Sequence, residues 1–269
     1  MARLSICLPV FNGADHVEEA LASIAAQTSS DYVVLASDNA SSDRTPEILL
    51  RWASRIPMEI VTQPQTRPMQ EHFDTLLDRV ETESYMLLCH DDFFWSPQAV
   101  ARALETLDSR PEISAIYCDL VYVSEGGRVL AHRRFARSGP IEADAIGRQC
   151  IRKARNMFGI PLAVRRDALG ANRYDQQFRY VVDVDLSWMI SKQAPAWHIP
   201  EVLIANRYRG GNSTWALLGD AESEFLRLAR KHGVELSTAD RARIKLTNWR
   251  VARQKRLFGL YERLVTRFG

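Results

Sequence analysis

The sequence predicts an α/β fold in which helices cover both faces of a mostly parallel β-sheet. Two observations support this prediction. Through the first hundred residues, apolar runs of strand length alternate regularly with segments whose apolar residues recur at helical spacing. The first run, ICLPV, is apolar at every position, as expected for a strand that helices bury on both faces. Regular alternation of strands and helices is typical of parallel sheets.

The first half of the chain predicts four strands, each followed by a helix. We expect strands at residues 4–11, 31–37, 58–61 and 85–89, and helices at residues 14–26, from 45 onward, 70–80 and 96–109. Thr45 is a good N-cap for the second helix, with Pro46 in its first turn. Ligands of such sheets bind beyond the carboxyl ends of the strands, so the polar residues that follow the strands are the candidates for function. They are Asn12, Asp38, Asn39, His90, Asp91 and Asp92.

The second half of the chain alternates less regularly. Residues 113–123 predict a long strand, and residues 128–135 are expected to pair with it as a hairpin. Further on we predict helices at 144–154 and 184–190, strands at 160–164 and 201–208, and a helical pattern from 215 to the end with breaks near Gly233 and Ser237.

Composition limits the kind of protein this can be. The 269 residues are 46% hydrophobic and 25% charged, which is ordinary for a globular protein with one sizeable core. A net charge of +2 gives no electrostatic reason to expect nucleic-acid binding. The four cysteines form no CxxC pair, which argues against structural zinc. Three of them lie in apolar runs, where we expect buried, reduced thiols, and reduced thiols favour a cytoplasmic protein. No apolar run reaches the roughly 18 residues that span a bilayer, so the protein is expected to be cytoplasmic, or attached peripherally at the inner face of the cell membrane.

The segment YMLLCHDDFFW places two adjacent carboxylates, Asp91 and Asp92, at the end of a predicted strand. Like charges this close repel and raise each other's pKa, and a divalent cation relieves the repulsion. Mg²⁺ and Mn²⁺ favour oxygen ligands and often bind one or two carboxylates together with substrate phosphates. A metal site is one interpretation of the pair, and a solvated turn at the strand end is the other.

Two further segments carry carboxylates that could face the same cleft. In VLASDNASSDRT, Asp38 follows a strand and could contact a base or ribose, although the loop could serve only to begin the next helix. In RYVVDVDLSWMI, Asp183 ends an apolar, strand-like run and Asp185 follows it. Asp183 could act as a general base, or either residue could cap the following helix.

The segment ANRYRGGNSTW ends a predicted strand with Arg207 and Arg209 and continues into a glycine-containing loop. Such a loop could close over phosphate, because arginine binds diphosphates through paired hydrogen bonds. A surface turn with solvated arginines is the alternative.

Taken together, these segments resemble the family 2 glycosyltransferases, which have the Rossmann-like GT-A fold. The resemblance begins with the strand that ends in Pro9-Val10-Phe11-Asn12, continues through Glu19 on the next helix, and includes the loop at residues 38–45. It is close over about the first hundred residues and reaches more loosely to about Ser213. The order and spacing of four motifs make it more specific than any single motif.

The resemblance implies an inverting transferase that moves a sugar from a nucleoside-diphosphate sugar to an acceptor hydroxyl, with Mn²⁺ or Mg²⁺. Asp91 would be the metal ligand and Asp183 the catalytic base, while Cys89 and Val182 stand where the family usually has acidic residues. The loop at Arg209 would close over the diphosphate. The residues expected to bind the nucleotide-sugar are Pro9, Phe11, Asn12, Glu19, Asp38, Arg67, His90, Asp91, Asp92 and Arg209.

The same resemblance implies a GT-A domain at residues 1–213, with a nucleotide-binding half at 1–110 and an acceptor half at 111–213. A C-terminal helical extension would follow at 214–269. The acceptor is expected to be a sugar or a lipid-linked glycan, in cell-envelope or exopolysaccharide synthesis. The extension mixes basic and apolar residues, so it could lie on anionic lipid, pack on the catalytic domain, or contact another subunit.

Two other functions compete with this one. A nucleotidyltransferase that makes nucleotide-sugars would also use acidic metal ligands, but it usually has a basic, glycine-rich loop. This chain has NGAD there, at residues 12–15, with one glycine and one acidic residue. A GT-A-like binding or scaffold protein with a decayed metal site is the second alternative. Cys89 and Val182 favour it, and the carboxylates at 91, 92 and 183 oppose it.

Overall fold

The computed structural model describes residues 2–135, 138–192, 194–208, 217 and 219–268, with side chains as far as residue 253. Within these residues the chain forms one ten-stranded mixed sheet flanked by helices, which confirms the predicted fold class. The strands are β1 (Leu4–Val10), β2 (Tyr32–Asp38), β3 (Met58–Thr62), β4 (Ser84–Leu87), β5 (Phe93–Phe94), β6 (Ala115–Val123), β7 (Val129–Arg133), β8 (Gly139–Ile141), β9 (Ala163–Arg165) and β10 (Ala196–Arg207). The helices are α1 (Val17–Ala25), α2 (Thr45–Ala53), α3 (Met69–Leu77), α4 (Ala99–Ser109), α5 (Ala145–Lys153), α6 (Arg166–Leu169), α7 (Val182–Ser191), α8 (Ala221–Lys231) and α9 (Thr238–Phe268).

The long strands of the sheet all point the same way. The strand order is β3-β2-β1-β4-β9-β6-β10-β5, with β1 to β4 paired in parallel and β6 parallel to β10. The short β9 lies antiparallel between β4 and β6, so β6 and β10 run in the direction of the first four strands. The carboxyl ends of β1, β2, β4, β6 and β10 therefore lie along one edge.

Burial on both faces of the sheet explains the continuous apolar run of β1. Ile6 and Leu8 face a core cluster that contains buried residues of α1, α2 and α4. Cys7 faces the opposite cluster, which contains buried residues of α3, α5, α7 and α8, and Ile244 of α9. Alternate residues of a strand point to opposite faces, so both sets must be apolar when helices cover both sides.

Thr45 does not cap α2 as predicted. It is the first residue of the helix, and its N–H donates to Asp43 Oδ1 at 2.9 Å. Its hydroxyl instead accepts the N–H of Gly13 at 2.8 Å. The side chain of Thr45 therefore bonds to the loop after β1 instead of capping α2.

Two predictions in the second half are also corrected. The strand predicted at 160–164 is only β9, because Pro161 lacks the N–H that a sheet ladder requires. The apolar run before Asp183 is not a strand end, since Val182 and Asp183 lie in the first turn of α7. That run is apolar because it packs against α8 in the second core cluster. None of the helices in the described ranges is long and apolar enough to cross a membrane.

Candidate active site

A cleft of about 1240 Å³ opens at the carboxyl edge of the sheet. Its walls include the ends of β1, β4 and β10, the start of α7, and the segment around Asn156. Predicted site residues that line it are Pro9, Phe11, Arg67, His90, Asp91, Asp92 and Asp183. Asn12, Glu19 and Asp38 lie outside its lining, and Arg209 lies outside the described residues.

The loops after β1 and β2 are held together by their own polar groups. Asn12 has a φ of 46° and donates its N–H to Ser41 Oγ at 2.8 Å, while its side-chain oxygen accepts the N–H of Ser42 at 2.9 Å. The carboxylate of Asp38, only 1% exposed, accepts the N–H of Ser41 at 3.2 Å. Asn12 and Asp38 therefore hold the loops at the margin of the cleft without lining the cleft themselves.

Asn39, next to Asp38, lines the cleft and fixes Arg67. Its amide accepts the backbone N–H of Arg67 at 2.9 Å and donates to the backbone carbonyl of Arg67 at 3.0 Å. This paired contact holds the loop after β3 against the end of β2, so that Arg67 borders the cleft.

Gly13 is required where the loop after β1 meets the segment after β4. A Cβ at this position would lie 2.6 Å from His90 Cδ2 and 2.8 Å from Val10 Cγ1. Any side chain would push these two segments apart, and the imidazole of His90 is one of the cleft walls.

The carboxylate of Asp92 is held by the end of β10. Its Oδ1 accepts the N–H of Arg207 at 2.9 Å, and its Oδ2 accepts the side-chain amide of Asn206 at 2.6 Å. The guanidinium of Arg207, whose side chain is 2% exposed, pairs with Glu19 on α1. It also donates to the carbonyl of Asp91 at 3.3 Å, so α1 and β10 together position the loop after β4.

The loop after β4 brings two carboxylates and a thiol close together. One ligand atom from each of Cys89, Asp91 and Asp92 can be chosen so that all three lie within 4.8 Å of one another. Burial raises the pKa of Asp92 to about 8, and the negative charge of Asp91 adds to this effect. Burial also raises the pKa of the Cys89 thiol well above its usual range, which keeps it neutral. The repulsion between the carboxylates fits a site for a hard divalent cation.

Asp183 enters the same cleft from the first turn of α7. Its Oδ2 accepts the side-chain amide of Asn156 at 2.5 Å. The Asn156 oxygen accepts the N–H groups of Phe158 at 2.9 Å and Gly159 at 2.8 Å, so the amide can turn only its NH₂ toward Asp183. Burial raises the pKa of Asp183, and its hydrogen bonds and the charge of Arg133 oppose this only in part.

Neither Asp183 nor Asp185 caps α7. The helix begins after Val181, which makes no capping contact through its side chain. Asp185 is fully buried, and its two oxygens lie 2.7 Å from Lys231 Nζ and 2.7 Å from His232 Nε2. Asp185 therefore has a structural role beside the candidate base.

Sequence reasoning overlooked Asn156 and Asn206, which bind the carboxylates of Asp183 and Asp92. It named Asn39 and Arg207 as polar residues at strand ends, but not the contacts that they make with Arg67 and Glu19. Asn156 lies in an irregular segment after α5, where no periodic pattern or motif distinguishes it.

Known proteins resemble this chain in sequence and in fold. The model for glycosyl transferase family 2 matches residues 5–171. The uncharacterized protein Rv1520 of Mycobacterium tuberculosis is 28% identical over 128 residues, which cover 46% of this chain and 37% of that protein. An uncharacterized glycosyltransferase of Haemophilus influenzae is 24% identical over 169 residues, covering 61% of this chain and 53% of that protein. The chain thus spans less than two thirds of the length of these curated relatives.

Solved structures share the fold at low sequence identity. S. aureus TarS 1–349 in complex with UDP-GlcNAc has a TM-score of 0.66 and 15% identity, over 91% of this chain and 70% of that chain. The mannosyltransferase PcManGT from Pyrobaculum calidifontis, in complex with GDP-Man and Mn²⁺, has a TM-score of 0.62 and 16% identity, over 91% of this chain and 68% of that chain. The family match covers more than half of the sequence, including both carboxylates after β4, and the chain belongs to glycosyl transferase family 2.

Proposed function

We propose that this protein transfers a sugar from a nucleoside-diphosphate sugar to an acceptor hydroxyl, with inversion at the anomeric carbon. The observation that carries the proposal is that the carboxylates of Asp91, Asp92 and Asp183 line one cleft in a chain of this family. Proteins of the same fold have been solved with UDP-GlcNAc and with GDP-Man.

The donor would bind against the ends of β1 and β4. Pro9, Phe11 and His90 border this side of the cleft and would contact the nucleotide. Arg67, whose backbone is fixed by Asn39, offers a positive charge for phosphate oxygens. Asn12, Glu19 and Asp38 would support these loops, and Arg209 would close over the diphosphate.

Asp91 would hold a divalent cation, and Asp92 would help to shape its site. Both oxygens of Asp92 already accept hydrogen bonds from β10, which leaves it less able to coordinate a metal. When bound, Mn²⁺ or Mg²⁺ would offset the charge that develops on the leaving diphosphate. A relative in fold is described with Mn²⁺, which supports a metal of this class.

Asp183 would act as the general base. The proton of the acceptor hydroxyl moves to a carboxylate oxygen of Asp183, the acceptor oxygen forms a bond to the anomeric carbon, and the bond from that carbon to the diphosphate breaks. Asn156 holds Asp183 Oδ2 and so fixes the direction from which the proton is taken. A raised pKa brings the base nearer to neutral pH, where proton transfer is most efficient.

The acceptor is proposed to be a sugar or a lipid-linked glycan, used at the cytoplasmic face of a membrane in cell-envelope or exopolysaccharide synthesis. Two apolar residues of α9 support a peripheral membrane contact, since Leu246 is 46% exposed and Trp249 is 57% exposed. Val251, on the same helix, lines the cleft. Exposed basic residues accompany them on α9, namely Arg241, Arg243, Lys245, Arg250 and Arg253.

The test is a panel of UDP-, GDP-, CDP- and dTDP-sugars, scored for binding and for nucleoside-diphosphate release with Mn²⁺ or Mg²⁺. We expect one donor to bind, Asp91→Asn to weaken metal-dependent binding, and Asp183→Asn to bind donor without turnover. Asp31→Asn is the matched control, because this exposed carboxylate precedes β2 at the opposite edge of the sheet. Binding without turnover in the wild type with every acceptor would favour a binding protein, and binding in none would reject the transferase.

A further inference from the structure

The turn that leads into α7 is held by a carboxylate from α8. Glu224 is 1% exposed, and one of its oxygens accepts the backbone N–H groups of Arg179 at 3.0 Å, Tyr180 at 2.7 Å and Val181 at 3.1 Å. Its other oxygen lies 3.1 Å from the N–H of Arg179. Three consecutive amides of the segment before Asp183 therefore converge on one buried side chain.

This arrangement is stable only while both parts are present. Hydrogen bonds from N–H groups to an ionised carboxylate are stronger than neutral ones, and a negative charge at a helix N-terminus is favourable. A buried carboxylate without such partners, or buried amides without an acceptor, would be costly. Arg227 lies 3.6 Å from Glu224 and is half exposed, so the amides are the closer partners.

The end of α8 holds α7 at a second point. Lys231 and His232 bind the two oxygens of Asp185, which lies two residues after Asp183. The ring of His232 also stacks on Trp188, with centroids 4.0 Å apart and planes 12° from parallel. Contacts from the α8 segment thus fix the backbone on both sides of Asp183.

We propose that Glu224 is a positioning residue of the transfer reaction, which holds the backbone at residues 179–181 so that the Asp183 carboxylate faces the cleft. The inference rests on the proposed role of Asp183 as the base. In this proposal α8, which follows the segment matched by the family model, helps to position Asp183. Asn156 sets the orientation of the carboxylate group, and Glu224 sets the backbone from which it extends.

The kinetic consequence is a loss of turnover without a loss of donor affinity. A displacement of about 1 Å in a reacting group can lower the rate by about 10²-fold. The loops proposed to bind the donor follow β1 and β4, and none of the contacts described for Glu224 holds them. For Glu224→Gln we expect kcat to fall by about 10- to 100-fold, with the donor KM within about threefold of wild type. Glu224→Asp keeps the charge but shortens the reach, so its kcat should lie between those of wild type and Glu224→Gln.

The experiment combines kinetics with amide hydrogen exchange on the whole chain. Glu224→Gln is expected to lose protection in the peptide that contains residues 179–181. Glu222→Gln, on the same helix and outside these contacts, is the matched control and should change neither exchange nor kcat. Melting temperatures and kcat per folded molecule are measured for every variant, so that a loss of folded protein is not counted as a loss of catalysis.

Two results would overturn the proposal. One is unchanged exchange at residues 179–181 in Glu224→Gln, whatever the activity. The other is lost protection or a lower melting temperature with kcat per folded molecule unchanged, which would make Glu224 structural only. A wild-type protein that turns over no donor would instead reject the transferase function itself. The hydrogen-exchange result does not depend on turnover, so it still tests separately whether Glu224 holds residues 179–181.

Discussion

Asp183 combines a buried position with a charge that the proposed reaction requires. Burial raises its pKa, and the hydrogen bond from Asn156 opposes the shift without removing it. An ionised carboxylate in such a place favours catalysis at the expense of stability, because the unfolded chain solvates the same charge more fully. The burial of the Asp183 charge should therefore affect both the turnover rate and the pH dependence of stability.

Asp183→Asn should lower kcat by about 10²- to 10⁴-fold while the donor still binds. The variant should also be at least as stable as wild type at pH 8. A folded-state pKa above the unfolded one means that the free energy of unfolding falls as pH rises from the unfolded-state pKa of this carboxyl group through its raised folded-state pKa, and asparagine removes that loss. Thermal unfolding at pH 5 and pH 8 measures it. A variant that is less stable than wild type at pH 8, relative to pH 5, would contradict the pKa argument.

Asn156→Asp should move the acid limb of the pH–rate profile. The new carboxylate keeps the acceptor for the N–H groups of Phe158 and Gly159 but places a like charge against Asp183, which raises the pKa of Asp183 further. Because the base must be ionised to act, activity should be lost at mildly acidic pH and regained as pH rises. The measurement is kcat from pH 5 to pH 9. An acid limb that stays at the wild-type position would show that Asp183 is not the titrating base.

Gly13→Ala should destabilise the protein by roughly 1–3 kcal/mol, as overpacking does, and weaken donor binding. The added Cβ would displace His90, which lines the cleft, or Val10 beneath it. Gly126→Ala is the control, because a Cβ there would have no atom within 4 Å. Urea unfolding and donor titration check both effects, and equal behaviour of the two variants would refute the close contact.

At the scale of elements, α1 and β10 together hold the loop that carries Asp91 and Asp92. β10 reaches this loop because it runs parallel to β6 and ends at the same edge as β4. Arg207 at its end is almost fully buried and forms an ion pair with Glu19 of α1. The first helix of the fold therefore stabilises a loop that follows the fourth strand.

Glu19→Gln should lower the free energy of unfolding by about 1–3 kcal/mol, because the buried guanidinium of Arg207 loses its ion pair with the Glu19 carboxylate. The Mn²⁺ concentration for half-maximal turnover should rise several-fold as the loop loosens. Glu18→Gln is the control, since the pair of Glu18 with Arg51 is about half exposed and worth only about 0–1 kcal/mol. An unchanged Mn²⁺ dependence in Glu19→Gln would argue against this link between α1 and the proposed metal site.

On the scale of the whole molecule, the C-terminal helices join the catalytic core on one side and expose apolar residues on the other. Phe225, Leu228 and Ile244 are buried in the second core cluster. Leu246 and Trp249 face outward among basic residues, on the helix that also contributes Val251 to the cleft. This geometry would bring the cleft close to a surface that α9 binds.

Replacing both Leu246 and Trp249 by serine should reduce binding to vesicles that contain anionic lipid, because apolar area and basic charge act together in such helices. Leu50→Ser is the control, since Leu50 is 68% exposed on α2. Co-flotation with anionic and with zwitterionic vesicles measures the effect. Equal flotation of both variants, or a wild type that floats with neither vesicle, would reject the membrane contact and leave a subunit contact as the alternative.

Local sequence patterns were sufficient to predict the fold class, the parallel strands of the first half, and the edge of the sheet at which polar residues gather. These features follow from local patterns, since apolar periodicity and strand-end residues can be read over a few positions. Asp91 and Asp92 were found in this way, whereas Asp183 was singled out at a predicted strand end that the structure replaces with a helix. The family resemblance rests on the same short motifs.

The groups that hold those carboxylates are selected by long-range packing, which no local pattern reveals. Asn156 is 27 residues from Asp183, and Asn206 is 114 residues from Asp92. Glu224 reaches the amide of Val181 across 43 residues. An asparagine in a loop or a glutamate on a helix carries no local sign of its partner, because that partner is chosen by how distant segments pack. The same packing placed Asp183 in a helix and gave the hydroxyl of Thr45 to Gly13.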